Sequence, residues 1–135
     1  MKRLSREKYF ISIAKLVAKR STCPRAAVGA VLVSERRIVS TGYNGSASGS
    51  PHCETIGCLL EHGHCRRTVH AEMNALLHLE HSYSDLIMFC THQPCYQCTK
   101  ALITCGVKKV FYYKLYKDTL RDKIIFGTDI QMFQI

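Results

Sequence analysis

The chain has 135 residues, 47% hydrophobic and 21% charged, enough to bury one core of ordinary size but not two, so residues 1–135 are expected to form a single domain. No run of about 18 apolar residues occurs, which excludes a membrane-spanning helix. The basic opening segment is cut by Lys8, Ser12 and Lys15, so a signal peptide is not expected and the cytoplasm is the expected compartment. Nineteen Lys and Arg against ten Asp and Glu give a formal charge of +9, which suits either an anionic partner such as a nucleotide or a solvated basic surface.

Ser5 and Glu7 open a helical pattern with Tyr9, Phe10, Ile13, Leu16 and Val17 on one face, ending near Arg20 before Cys23-Pro24. Residues 27–33 read as a buried strand, 34–36 as a short turn and 37–43 as the return strand of an antiparallel hairpin. Residues 44–68 are Gly-rich, irregular and carry three of the eight Cys. A loop this long is uncommon unless it is functional or stapled by a metal. Val69 to about His81 reads as a helix with Met73, Leu76, Leu77 and Glu80 on successive turns. Residues 86–91 form a strand, and Cys95 to about Cys105 a helix stopped by Gly106. Residues 107–113 form the next strand, followed by a helix near 118–126 stopped by Gly127 and a strand near 130–133. Short apolar strands alternating with helices predict an α/β fold: a three-layer α-β-α sandwich around a mixed sheet of about five strands.

The cysteines, at 23, 53, 58, 65, 90, 95, 98 and 105, are the most informative residues. In a reducing compartment, Cys grouped with His points to metal more than to disulfides. Cys90 and Cys105 fall in apolar segments and read as small buried hydrophobes.

Two fragments carry the chemistry. His70-Ala71-Glu72 opens one helix, and Pro94-Cys95-Tyr96-Gln97-Cys98 opens another. Two thiolates and an imidazole are a three-ligand zinc set with a fourth position left open for water. Positive helix N-termini favour the ligating thiolates. Glu72, in the first turn beside His70, can enter the same cavity and shuttle protons. H-x-E followed by P-C-x-x-C is the signature of zinc nucleobase deaminases.

The chain resembles the zinc-dependent cytidine deaminase superfamily, and within it the bacterial and phage deoxycytidylate (dCMP) deaminase branch. The resembling stretches are RSTCPRAAVGAVLV, STGYNGSASGSPHC, GCLLEHGHCRRTVHAEMNAL and THQPCYQCTKALITCGVKKVFY, nearly everything from Arg20 to Tyr113. GYNG followed by HC, and GHCxRTVHAEMNA, point to the dCMP branch. The resemblance implies hydrolysis of dCMP to dUMP and ammonia, with Glu72 as the proton carrier, a supply of dUMP for thymidylate synthesis. It also implies a second, structural zinc using Cys23 and Cys53; its remaining ligands vary within the family, and two of Cys58, His64 and Cys65, in the same long loop, are expected to complete it here. Without a metal these would be free thiols. The family further implies a homo-oligomer, a hexamer, activated by dCTP with Mg2+ and inhibited by dTTP, with the effector sought near residues 44–57.

Substrate contacts are expected at Ala71, Asn44, Arg25 and Tyr116. Asn44 ends the second strand and either reaches a sugar hydroxyl or occupies a left-handed turn before Gly45. Arg25, with Arg66 and Arg67, either pairs with a 5′-phosphate or is solvated. Tyr116 either faces substrate or packs in the core. Polynucleotide deaminases acting on tRNA adenosine or single-stranded DNA, and free nucleoside deaminases, share the two fragments. The lack of a basic tail or aromatic-basic cluster argues against the former.

Overall fold

A computed structural model describes residues 1–135. In chain order the elements are α1 (Arg6–Ala18), β1 (Gly29–Ser34), β2 (Arg37–Tyr43), β3 (Gly45–Ser46), α2 (Cys53–Ile56), β4 (Leu60–Glu61), β5 (His64–Cys65), β6 (Thr68–Val69), α3 (Ala71–Leu77), β7 (Ile87–His92), α4 (Tyr96–Thr104), β8 (Lys109–Lys114), α5 (Thr119–Ile125) and β9 (Gln131–Gln134). The five long strands form one mixed sheet in the order β2-β1-β7-β8-β9. The β1–β2 and β1–β7 pairs are antiparallel, and β7–β8 and β8–β9 are parallel. This is the expected mixed α/β sheet.

The hairpin turn is two residues, Glu35 and Arg36, both with positive φ (49° and 70°), the backbone twist that a tight hairpin demands. Strand β1 then alternates across the sheet. Ala30 and Leu32 enter a core with Ala71, Ala75, Met88, Leu102 and Val110, on the face covered by α3 and α4. Val31 and Val33 enter a second core with Phe10, Ile11, Ala14 and Phe89, under α1. A row of rings, Phe10, Phe89, Phe111 and Phe133, crosses this face at centroid spacings of 5.0, 5.1 and 5.2 Å. Helices therefore cover both faces of the sheet, giving three layers.

Glycines on the strands set how closely the helices lie. A side chain at Gly42 would collide with the backbone of α3 at Ala71 and Ala75, and one at Gly29 with the backbone of α1 at Ala14 and Ala18. Helix α3 thus docks through a small face, Ala71 and Ala75, with the Ser40 hydroxyl donating to the Ala75 carbonyl at 2.6 Å. That contact brings Glu72, 4% exposed, into the interior.

Several expectations need correction. Helix α3 buries Ala71, Glu72 and Ala75, with Leu76 half-buried against the same core, while Leu77 is exposed. It ends at Leu77, four residues early, where the His78 imidazole Nδ1 lies 2.7 Å from the Asn74 carbonyl and Leu79 N–H turns back to Leu76. Helix α1 buries Phe10, Ile11, Ala14 and Ala18, because small Ala residues let it approach Gly29, and Tyr9 and Leu16 are left exposed. Cys90 is fully buried as expected, but Cys105 is exposed because it caps the solvent end of α4, ahead of Gly106 at φ 87°.

Candidate active site

The N-termini of α3 and α4 meet beyond the C-terminal end of β7. His70 and Cys95 are their N-cap residues, both with extended backbone, so their side chains project ahead of the helices. The His70 Nδ1 lies 3.3 Å from the Cys98 sulfur and 3.5 Å from the Cys95 sulfur. One ligand atom from each of the three lies within 4.8 Å of the others, a spacing that fits one tetrahedral ion and leaves its fourth corner free. Cys98 is buried, Cys95 half-buried and His70 exposed, so the group opens outward.

The donor chemistry fits the same ion. Hydrogen bonding from the Cys98 thiol, and then from His70, holds the Cys95 thiol down to about 4 against the pull of burial. The Cys98 thiol is pushed up by sharing its proton with Cys95 and by burial. His70 is raised by its bond to Cys95. Two thiols holding one proton between them are half-way to the two thiolates that zinc takes. Burial raises the Glu72 carboxyl, while the nearby His70 acts to lower it. A carboxyl poised in this way can both take and give a proton.

The floor of a cavity of about 360 Å³ is formed by His70, Ala71, Glu72 and Cys95. Arg25, Asn44, His64 and Tyr116 also line it. Asn44 is buried, and its side chain straps the chain before β1: its Oδ1 accepts from Val28 N–H and its Nδ2 donates to the Ala26 carbonyl, both at 2.8 Å. It is not among the residues with positive φ, so the left-handed turn is not what Asn44 supplies. Arg25 donates to the Gly63 carbonyl at 3.2 Å. Arg66 and Arg67 do not line the cavity: Arg66 pairs with Glu61 at 3.3 Å and Arg67 donates to the Gly57 carbonyl at 3.0 Å.

His92 and Gln93, ahead of the Pro-Cys turn, line the cavity too, and sequence reading passed them over. Gly29 N–H donates to the Thr91 hydroxyl, which lies 2.8 Å from the His92 Nδ1. Burial, reinforced by Lys114, lowers the His92 pKa. A neutral imidazole accepting at Nδ1 from Thr91 carries its proton on Nε2, a donor for a ligand. A His two residues before Pro-Cys, at a predicted strand end, was the signal available.

The long loop gathers a second group: one ligand atom each from Cys53, Cys58 and Cys65 lies within 4.8 Å of the others, with the Cys53 and Cys65 sulfurs 3.7 Å apart. Burial and its thiol neighbours push Cys58 up to about 12, while backbone N–H groups bring Cys65 down to about 7 against the pull of burial. Two expected members stand apart. Cys23 and His64 are both outside the group and line the cavity of about 360 Å³, which Cys65 also reaches. The tight His62-Gly63 turn, with φ 50° and 77°, places His64 and Cys65 as neighbours on a short strand, where successive side chains point opposite ways.

Residues 4–114 match the family described as the cytidine and deoxycytidylate deaminase zinc-binding region. The chain belongs to this family. Among curated relatives, ComE operon protein 2 of Bacillus subtilis is 45% identical over 120 residues, covering 87% of this chain and 64% of that protein. The chain therefore spans less than two thirds of that relative's length. The deoxycytidylate deaminase of Mycobacterium phage D29 is 38% identical over 128 residues, 84% of this chain and 98% of that protein. The crystal structure of dCMP deaminase from the cyanophage S-TIM5 in complex with dCMP and dUMP superimposes with a TM-score of 0.84 at 30% identity, covering 100% of both chains. A tRNA:A34 deaminase aligns with a TM-score of 0.64 at 16% identity and shares the deaminase fold.

Proposed function

We propose that residues 1–135 form one deaminase unit that hydrolyses dCMP to dUMP and ammonia. The observation that carries this reading is the buried Glu72 carboxyl beside the His70, Cys95 and Cys98 donors, on the floor of a cavity whose rim carries Arg25 and His64. His70, Cys95 and Cys98 would hold the zinc, which when bound supplies a nucleophile at neutral pH by lowering the pKa of its water to about 7. Glu72 takes one proton from the attacking water and gives it to the ring nitrogen N3, then takes the second from the hydroxyl now on C4 and hands it to the departing amine, so that the C4 carbonyl forms as the C4–N bond breaks. The cavity walls shield that transfer from solvent. Ala71 is the first residue of α3, so its backbone N–H has no carbonyl partner within the helix and can donate to the base carbonyl. Asn44, with one amide hydrogen and one oxygen lone pair beyond its strap to residues 26–28, reaches the sugar. Arg25 and His64 hold the phosphate, His92 adds an Nε2 donor, and Tyr116 closes the side of the cavity.

The finer readings follow from the same residues. Cys53, Cys58 and Cys65 would hold a second, structural zinc, with Cys23 as the side chain that moves in to complete it. A second cavity of about 590 Å³ is lined by Lys19, Arg20, His52 and His78 and holds one carboxylate, Glu54. It suits an anionic nucleotide effector, dCTP or dTTP with Mg2+, and adjoins the 44–57 loop. Exposed Leu16, Leu77 and Phe126 suit burial between copies in a homo-oligomer such as a hexamer. No helix is long and apolar enough to cross a membrane, and the cytoplasm, where nucleotides and reduced thiols coexist, is the fitting compartment.

Ammonia release from dCMP, CMP, deoxycytidine and a short single-stranded DNA tests the reading. The expected result is a kcat/KM for dCMP well above the other three. Equal values for dCMP and deoxycytidine would leave a nucleoside deaminase, and preference for the oligonucleotide a polynucleotide deaminase.

A further inference from the structure

The segment 116–121, after β8, meets the Cys95 turn through an arrangement that the chemistry above does not use. Arg121 is 3% exposed, and both hydrogens of its Nη1 are committed: one to the Pro94 carbonyl at 3.1 Å, the other to the Tyr116 carbonyl at 2.6 Å. Its Nη2 reaches Asp122 at 3.2 Å, and its Nε is buried without a partner. Asp118 caps α5, its Oδ1 accepting from Leu120 and Arg121 N–H, each at 3.1 Å. Its other oxygen leaves α5 altogether and accepts from Tyr96 N–H at 2.8 Å.

Pro94 and Tyr96 flank Cys95. The peptide group before Cys95 is held by Arg121 and the one after it by Asp118, so both backbone torsions of Cys95 are pinned from outside its own helix. The same guanidinium nitrogen holds the peptide after Tyr116, whose N–H meets the Gln93 side chain at 3.4 Å. Burying an Arg with an unpartnered N–H is costly, and a Lys could not bridge two carbonyls with the same planar geometry. A merely structural helix docking does not need a carboxylate shared between two helix N-termini.

We propose that Asp118 and Arg121 are positioning residues that fix the backbone of Cys95 and tie it to the Tyr116 wall of the cavity. Helix α5 thereby sets the aim of a metal-ligating sulfur and the side of the substrate cavity together. The inference rests on the deaminase reading for what Cys95 holds, but its test does not require turnover.

Cadmium NMR of the full cadmium-loaded chain is the test, with the resonance missing from Cys98→Ala marking the site of Cys95. Asp118→Asn keeps an oxygen for the α5 cap but sets an amide N–H2 against the Tyr96 N–H or leaves it unpaired. Arg121→Met keeps the bulk and loses both carbonyl bonds. Both variants should shift or broaden that resonance and leave any second one unmoved. Both should also lower kcat for dCMP by about 10–100-fold, the usual loss when a ligand's hydrogen-bonded support is removed. Gly127→Ala, at φ 80°, destabilises the end of the same helix without touching the clamp and should lower Tm with the resonance unmoved. An unmoved resonance in folded Asp118→Asn, with only Tm reduced, overturns the proposal. A shifted resonance in a chain that releases no ammonia from dCMP supports the positioning role and removes the deaminase reading.

Discussion

The molecule carries two groups of three metal-competent side chains, built in opposite ways. His70, Cys95 and Cys98 stand on the N-termini of two helices packed against the central sheet, with buried Glu72 behind them. Cys53, Cys58 and Cys65 stand in a loop whose regular structure is one four-residue helix and pairs of two-residue strands. The first group would exist as a scaffold without metal, because the two cores hold its backbone. The second has little apolar packing of its own. Its Arg66–Glu61 ion pair, with side chains 45% and 63% exposed, adds little. The difference separates a site suited to chemistry from one suited to holding structure: preorganisation marks the former, and a metal in the latter would replace a missing core.

The largest effect expected is at Glu72. Glu72→Gln should lower kcat by about 10²–10⁴-fold while both groups remain intact, since it removes only the proton carrier. Stability gives an independent sign. Burial raises the Glu72 pKa, so in the metal-free protein the ionised carboxylate costs stability above its folded pKa, and that cost vanishes as pH falls below the unfolded value. The metal-free Gln variant should therefore match or exceed the parent in Tm at pH 7, and the gap should close in acid. A Tm deficit at pH 7 would show that Glu72 is a structural group.

Cys53→Ala sharpens the contrast from the other side. It should cost about 2 kcal/mol, or about 6–10 °C in Tm, and open the 44–68 loop to proteolysis, with activity falling only as the loop loosens. Thermal melts with limited proteolysis check this, and an unchanged melt would make these residues idle thiols. A smaller effect belongs to Arg25, which reaches both regions: it lines the cavity and bonds Gly63 in the loop. Arg25→Ala should raise KM for dCMP about tenfold, worth about 1.4 kcal/mol, with no change for deoxycytidine. Equal changes for both would assign Arg25 to loop support.

The two regions were not equally legible in the sequence. The trio and Glu72 could be read because H-x-E and P-C-x-x-C each open a helix, and a helix start fixes where a side chain points. The five long strands were legible from runs of Val, Ile and Phe bounded by turn residues. The buried face of α3 was not, because it is made of Ala71 and Ala75, whose importance lies in the space opposite them at Gly42. Apolar periodicity weights large residues and so selected Leu77, which is exposed. The thiol group was legible as a cluster but not in membership. Whether His64 or Cys65 joins it depends on a two-residue turn at His62-Gly63, and alternation on so short a strand leaves no pattern to count. The work of Asn44 was hidden for a similar reason: its strap to residues 26–28 spans 16 and 18 positions of sequence.

Zinc content per chain, measured on the pure protein together with Cys98→Ala and Cys53→Ala, tests the division of labour most directly. The account predicts about two zinc ions in the parent and one in each variant, with Cys98→Ala folded and inactive. One zinc in the parent, retained in Cys53→Ala and absent from Cys98→Ala, would contradict it and leave the loop cysteines without a metal.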